Sequence, residues 1–325
     1  MKSPERYWYS PRAPLWLLPA EWLFRSLALL RRLAYRLGLR RSYALGVPVI
    51  VVGNINVGGT GKTPLVAWLV KLLRKAGYQP GVVTRGYGGE ARRWPQQVRP
   101  DSDPRTVGDE PVLLARQCNC PVAAGPDRVM AAKQLLKHGR CNVIVADDGL
   151  QHYRMRRDIE LAVVDGERRF GNGHCLPAGP LREPTSRLKQ VDFIVANGLA
   201  SQCEFAMNLE SGEMKSLADD SLSHPIESLA GQRVHAVAGI GNPSRFFQLL
   251  ASRGLEVIEH PFPDHHPFTA QDLDFDDELP VIMTEKDAVK CRPFASSRMW
   301  YVPVEARLPE ALALRLLQML KQLIG

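Results

Sequence analysis

The feature that most constrains this chain is an apolar, β-branched run that empties into a glycine-rich turn, Val49-Ile-Val-Val-Gly-Asn-Ile-Asn-Val-Gly-Gly-Thr-Gly-Lys-Thr63. The next stretch, Leu65 to Arg74, carries apolar residues at helical spacing, so the segment predicts a strand, a tight loop and a helix. Gly58, Gly59 and Gly61 lack a Cβ, which lets the backbone curl with its N–H groups aimed inward. The helix that follows starts with its positive dipole end at the same point. The result is an anion cradle, to which Lys62 adds a point charge and Thr63 a hydroxyl that can serve Mg²⁺. An ordinary strand-to-helix turn leaves Lys62 and Thr63 unexplained. The general phosphate-loop pattern begins with glycine, whereas here Asn56 holds that place, followed by Val57 and, within the glycines, Thr60.

A loop of this kind sits in parallel α/β proteins, and the order of apolar segments agrees. Strands are predicted at 49–52, 81–84, 142–146, 160–164 and 192–196 with helical stretches between them, which reads as a phosphate-loop parallel sheet with helices on both faces. The polar, weakly periodic stretch 201–228 reads as a linker. Beyond it a second βαβ unit is predicted: strand 234–238, turn Gly239-Ile-Gly-Asn-Pro243, helix 246–252 and strand 256–260. Strands at 281–284 and 299–302 and a helix at 310–323 complete it. With 325 residues and 45% apolar content the chain can bury two cores. The expected organisation is a basic segment at 1–45, a phosphate-loop domain at 46–225 and a smaller α/β domain at 226–325 that closes the cleft. Gly239-x-Gly241 does not grow into a dinucleotide fingerprint, because Pro243 and Arg245 interrupt it, and it reads as a plain tight turn.

The formal charge is +8, and its distribution decides what it means. Residues 1–45 hold nine basic side chains (Lys2, Arg6, Arg12, Arg25, Arg31, Arg32, Arg36, Arg40, Arg41) against Glu5 and Glu21. The remainder is nearly neutral, which argues against a nucleic-acid face. Within the basic segment Leu23, Leu27, Leu30, Ala34 and Leu37 share one side of a helix, opposite Arg25, Arg32 and Arg36. Trp8, Tyr9, Trp16 and Trp22 suit a headgroup zone, so the segment reads as lying on a bilayer surface, the other reading being a helix packed on the protein's own core. Arg25 and Arg31-Arg32 interrupt any run long enough to span a membrane. The six cysteines lack zinc-ligand spacing and read as reduced thiols.

Further candidates for chemistry end strands or open loops. Asn142-Val-Ile-Val-Ala-Asp-Asp148 delivers two carboxylates downstream of the phosphate loop, where hard oxygen ligands for Mg²⁺ belong. Arg85 leads the glycine-rich Arg85-Gly-Tyr-Gly-Gly89 and either grips a phosphate or pairs with a carboxylate. Asp109 and Glu110 precede an apolar helical stretch and read most simply as helix-terminal acids. In Phe262-Pro-Asp-His-His-Pro267 an acid stands beside two histidines, suggesting an Asp/His relay and only weakly a metal.

In order along the chain, Gly53-Asn-x-x-x-Gly-Gly-x-Gly-Lys-Thr-Pro64, Arg85-Gly-Tyr-Gly-Gly89, Gly108-Asp-Glu-Pro111, Asp147-Asp-Gly-Leu-Gln-His152, Leu176-Pro-Ala-Gly-Pro-Leu-Arg-Glu183 and Met283-Thr-Glu-Lys-Asp-Ala-Val289 resemble the tetraacyldisaccharide 4′-kinases of the lipid A pathway in Gram-negative bacteria. The resemblance covers essentially the whole chain, and Asn56 agrees with that family's variant loop. It implies ATP-dependent phosphorylation of the 4′-hydroxyl of a tetraacylated, 1-phosphorylated glucosamine disaccharide at the cytoplasmic face of the inner membrane. It further implies that Lys62 and Thr63 serve ATP and Mg²⁺ and that Asp147 and Asp148 position metal and phosphates. Asp109 is implied as catalytic base with His265 beside it, while Arg85, Arg128, Arg182 and Glu183 line the site and His266 has no assigned role. The expected partners are the lipid disaccharide and an anionic membrane surface, with no nucleic acid, and the chain is expected to act as a monomer. The alternative is a deviant phosphate-loop switch or partitioning ATPase, a family that carries lysine where this chain has Val57. A GTPase fits less well, because Thr284-Glu-Lys-Asp287 lacks the guanine-reading spacing.

Overall fold

Val49, Ile50, Val51 and Val52 are all buried, and they alternate: Ile50 and Val52 enter one apolar core, Val49 and Val51 another. A strand that is apolar on both sides belongs in the middle of a sheet covered on both faces. The computed structural model describes residues 7–324, so Lys2, Glu5 and Arg6 lie outside the described residues.

In chain order the first part comprises α1 (Leu18–Arg36), β1 (Val49–Gly53), α2 (Lys62–Lys75), β2 (Pro80–Thr84), β3 (Gln96–Val98), α3 (Pro104–Val107), α4 (Asp109–Cys118), β4 (Val122–Ala124), α5 (Arg128–His138), β5 (Val143–Ala146), β6 (Ile159–Asp165), β7 (Phe193–Asn197) and β8 (Phe205–Ser211). The second part comprises β9 (Met214–Ser216), β10 (Ser223–His224), β11 (Arg233–Ala238), α6 (Pro243–Ser252), β12 (Glu256–Pro261), β13 (Val281–Thr284), α7 (Glu285–Cys291) and β14 (Met299–Val302), after which come β15 (Val304–Arg307) and α8 (Glu310–Ile324). The larger sheet has the order β15-β8-β7-β6-β1-β5-β2-β4-β3, parallel except at its two edges. Side chains of α2, α4 and α8 fill one face, and α5 with the segment around Leu150, Met155 and Leu181 fills the other. The smaller sheet, β10-β9-β14-β13-β11-β12, packs Phe246, Phe247 and Leu250 of α6 on one face and Ala288 and Cys291 of α7 on the other.

Two expectations are corrected. The stretch 201–228 is no linker: it supplies β8 to the larger sheet and β9 and β10 to the smaller one. The end of the chain also does not stay with the smaller domain. β15 pairs with β8, and Leu312, Leu316 and Leu320 are buried with α2 and α4, because that apolar stripe finds its partner on the larger core. The smaller domain is therefore an insertion spanning 214–302. Its two connections run side by side: β8 pairs with β15, β9 pairs with β14, and between them the Gly212 N–H donates to the Pro303 carbonyl at 2.9 Å.

The amphipathic α1 lies on the body with the polarity reversed from that of a packed surface helix. Glu21 is buried and accepts from the Cys175 N–H at 2.9 Å, with His174 Nδ1 2.7 Å away; Phe24 and Tyr35 follow on the same side. Trp22, Leu23, Leu27, Leu30 and Leu37 face outward and exposed. The reading in which the apolar face packs on the protein's own core is thereby overturned. The expectation for Trp8 is corrected too: it is buried and donates to the Pro177 carbonyl, so it is no headgroup residue. No described helix is long and apolar enough to cross a membrane.

Candidate active site

The carboxyl ends of β1, β2 and β5, neighbours at the centre of the larger sheet, bring the phosphate loop, Thr84-Arg85 and Asp147-Asp148 to one place. The loop is shaped from inside. Buried Asn54 donates to the Thr60 hydroxyl at 3.1 Å and the Gly58 carbonyl at 3.3 Å, and Asn197 donates to the Thr60 carbonyl at 3.3 Å. Gly61 caps α2 in the left-handed region at φ +92°, where a Cβ would meet Asn197 Nδ2 at 2.8 Å. Among the described residues no acceptor is found for the N–H groups of Gly58, Gly59 and Thr60, and those of Lys62 and Thr63 are free helix-terminal donors. Two expected loop contributors are engaged elsewhere. The Val57 N–H is given to the Pro180 carbonyl at 2.8 Å, and the Asn56 side chain donates to the Arg169 carbonyl at 2.7 Å.

The two aspartates differ. Asp148 has Lys62 at 3.5 Å and Arg182 at 3.2 Å, and its backbone carbonyl accepts from Arg128 at 3.0 Å. Burial would raise the Asp148 carboxyl, but Lys62 and Arg182 outweigh it and bring it to about 2. Asp147 is buried, meets only a long contact from the Thr84 hydroxyl at 3.4 Å, and leaves Oδ1 without a partner. Burial and then the Glu110 charge push it up to about 7. Arg128 is also buried, and desolvation lowers its pKa. Arg85 is exposed but close enough for its charge to act on Arg128. Glu183 is buried, accepts from Gln151 at 2.9 Å and from the Tyr153 hydroxyl, and so holds the site's wall in place behind its surface.

Across the cleft, His265 Nδ1 lies 3.0 and 3.1 Å from the two oxygens of Asp109. Asp109 opens α4 after Gly108, whose φ of +96° and contact to the Tyr87 carbonyl, 2.5 Å from an added Cβ, only glycine tolerates. Burial would raise Asp109, but the His265 hydrogen bond and the charges of Lys286, His265 and Lys290 hold it at about 2. The turn after β11 comes over the loop: an added Cβ on Gly241 would lie 3.6 Å from the Gly59 nitrogen. That turn is anchored by buried Asp287, which accepts from the Gly239 N–H at 2.8 Å and the Thr284 hydroxyl at 2.6 Å. The Gly239-x-Gly241 turn thus faces the site. His266 instead lies among Phe262, Phe268 and Asp272 within the small domain. A cavity of about 880 Å³ runs along the other side of α2, past Trp68, Arg116 and Tyr301, and none of the candidate catalytic residues lines it. Chemistry and not cavity size marks the site.

A family model described as tetraacyldisaccharide-1-P 4′-kinase matches residues 13–321. The chain belongs to that family. A tetraacyldisaccharide 4′-kinase of Nitrosococcus oceani is 53% identical over 98% of this chain and 94% of its own length. The enzyme of the same name from Alkalilimnicola ehrlichii is 56% identical, covering 91% of this chain and 90% of its own. Among solved structures, LpxK from Aquifex aeolicus, in an "apo" form in complex with ATP, superposes with a TM-score of 0.80 at 26% identity, covering 94% of this chain and 98% of that one. Within this kinase fold the structure brings together Lys62, Thr63, Asp147, Asp148, Arg128 and Arg182 around the loop and Asp109 with His265 at the cleft. Missed from sequence are Asn54, Thr84, Asn197 and Lys286. Asn54 and Lys286 stand inside quoted motifs, but only the folded contacts show what they touch.

Proposed function

We propose that this chain transfers the γ-phosphoryl group of ATP to the 4′-hydroxyl of a tetraacylated glucosamine disaccharide 1-phosphate. The observation that carries the reading is the Asp109–His265 pair, built from both domains, facing the same cleft as a loop of unpaired N–H donors. In-line phosphoryl transfer needs an oriented hydroxyl, charge neutralisation and a proton acceptor, with little covalent help. The N–H groups of Gly58 to Thr63 would hold the phosphates, and Lys62, swung from Asp148, would meet the charge developing on the γ-phosphoryl oxygens. Asp109, ionised at any working pH, would accept the hydroxyl proton, and Arg128, Arg182 and Arg85 supply positive charge for substrate phosphates.

The donor set also fits Mg²⁺. Asp147 presents a buried, unpartnered oxygen, and Thr63 adds a hydroxyl on the first turn of α2. The described residues hold no cluster of three or more His, Cys, Asp or Glu, as suits an ion that keeps waters and phosphate oxygens among its ligands. When bound, the ion would neutralise phosphate charge. Asp148, already committed to Lys62 and Arg182, serves to place those cations and is the lesser metal ligand.

The acceptor's acyl chains would stay in a bilayer, and the outward apolar face of α1, with basic side chains beside it, is the surface that would meet it. This supports a peripheral position on the anionic cytoplasmic face of the inner membrane. The test uses labelled ATP with the disaccharide lipid in mixed micelles. Label in the lipid product is the expected result, whereas ADP release indifferent to acceptor would replace this reading with a switch ATPase.

A further inference from the structure

Two roles are open to an aspartate–histidine pair. The imidazole can be the base, with the carboxylate orienting it through Nδ1–H and Nε2 left free for the substrate. Alternatively the carboxylate accepts the proton and the imidazole orients it. The Nδ1 contact to Asp109 is common to both, so the surroundings of Nε2 decide. Nε2 faces the ammonium of Lys286 at 3.4 Å.

An ammonium carries three donors and no acceptor. Lys286 has three acceptors around it: Glu110 Oε1 at 3.2 Å, Asp264 Oδ1 at 3.1 Å and His265 Nε2. Burial works against its charge, but Glu110, Asp109 and Asp264 more than compensate and keep it protonated well above the usual lysine value. In the neutral ring Nε2 must then offer a lone pair, which places that ring's one proton on Nδ1. The three partners also come from different places: Glu110 from α4 of the large domain, Asp264 and His265 from the loop after β12, and Lys286 itself from the first turn of α7.

We infer that Lys286 is a positioning residue that fastens the small domain to α4 and holds His265 with its Nδ1–H turned to Asp109, the proton acceptor of the kinase reading. The inference rests on the kinase reading above. Around His265 the charged and titratable neighbours are Asp109 and Glu110 on α4, Lys286 and Lys290 on α7, Asp264 on its own loop, and the Tyr87 ring 5.0 Å away. The Asp109 hydrogen bond and the charges of Asp109 and Asp264 raise the histidine's pKa and outweigh burial and Lys286, which lower it. Taking the lysine charge away therefore moves the histidine's titration to higher pH.

The tautomer is read by long-range ¹H–¹⁵N spectra of the protein with labelled histidine, His265→Ala serving to assign the signals. The wild-type resonance should be that of an Nδ1–H ring with a bare Nε2. In Lys286→Met the midpoint should move to higher pH and the tautomer bias weaken, whereas Lys286→Arg should keep both near wild type. The acid limb of kcat/KM should move in the same direction in Lys286→Met, with turnover reduced by about a hundredfold, the scale of a misplaced catalytic group. An Nε2–H tautomer in the wild type would overturn the assignment even if no variant folds. So would a Lys286→Met enzyme whose midpoint and acid limb stay put. The spectra need no substrate, so this inference can fail while phosphoryl transfer stands, and the reverse.

Discussion

Asp147 is a buried carboxylate with one bare oxygen, and such a group weakens the fold until a cation reaches it. Its pKa is pushed from 3.8 in the unfolded chain to about 7. The folded state therefore binds more protons across that interval, and stability falls as pH rises through it. Asp147→Asn should accordingly stabilise the metal-free protein at about pH 8, by a few kcal/mol at most, and leave it unchanged near pH 4. Thermal melts at the two pH values check this. The same substitution should raise the Mg²⁺ needed for half-maximal turnover by about tenfold or more. Lys62→Ala should lower kcat by about a hundred- to a thousandfold, as expected for a lost donor at developing charge, and near wild-type turnover would end the phosphate-loop reading. At this scale the sequence is informative wherever a residue's chemistry is local. Gly61, Lys62 and Thr63 follow one another, so their joint purpose is legible, but the division of labour between Asp147 and Asp148 depends on Lys62 and Arg182, which only the fold brings near.

Uniformly buried strands of four residues or more are read well, whereas the three-residue β4, though wholly buried, is missed. The strand expected at 281–284 is β13 as found, and that at 49–52 is β1 less its last residue, because continuous apolar runs between turns leave few alternatives. The short β3 and β9 and the half-exposed β8 and β15 carry mixed patterns and pass for loop. α1 shows a different limit: its apolar stripe is plain in the sequence, but which side meets the body is set by Glu21, Phe24 and Tyr35. Because Leu23, Leu27 and Leu30 point outward, replacing all three with serine should leave the melting behaviour nearly unchanged, each exposed change being worth within about 0.5 kcal/mol. The triple variant should lose flotation with anionic vesicles and show a raised KM for lipid but not for ATP. An unchanged bound fraction would move the docking surface elsewhere. These substitutions test the helix better than deletion does, since removing the first residues also takes away buried Trp8.

For the whole molecule, the paired connections at Gly212 and Pro303 join the small domain to the large one, and the contact between the two domains is what brings Asp109 and His265 together. No periodicity announces this, because β15 and α8 return to the larger core only after the insertion is complete. If the pair acts as a unit, its members cannot contribute independently. Asp109→Asn keeps the shape and removes the acceptor, so kcat should fall by about a hundred- to ten-thousandfold with ATP affinity little altered. His265→Ala should cost less, since it removes the orienting group and leaves the carboxylate. The double variant should then be much less impaired than the product of the two single losses, because an imidazole has nothing to orient once the carboxylate is gone. Steady-state kinetics on all four enzymes measure the coupling. Multiplicative losses would show that the two side chains act separately, and the cleft would then join the domains without joining their chemistry.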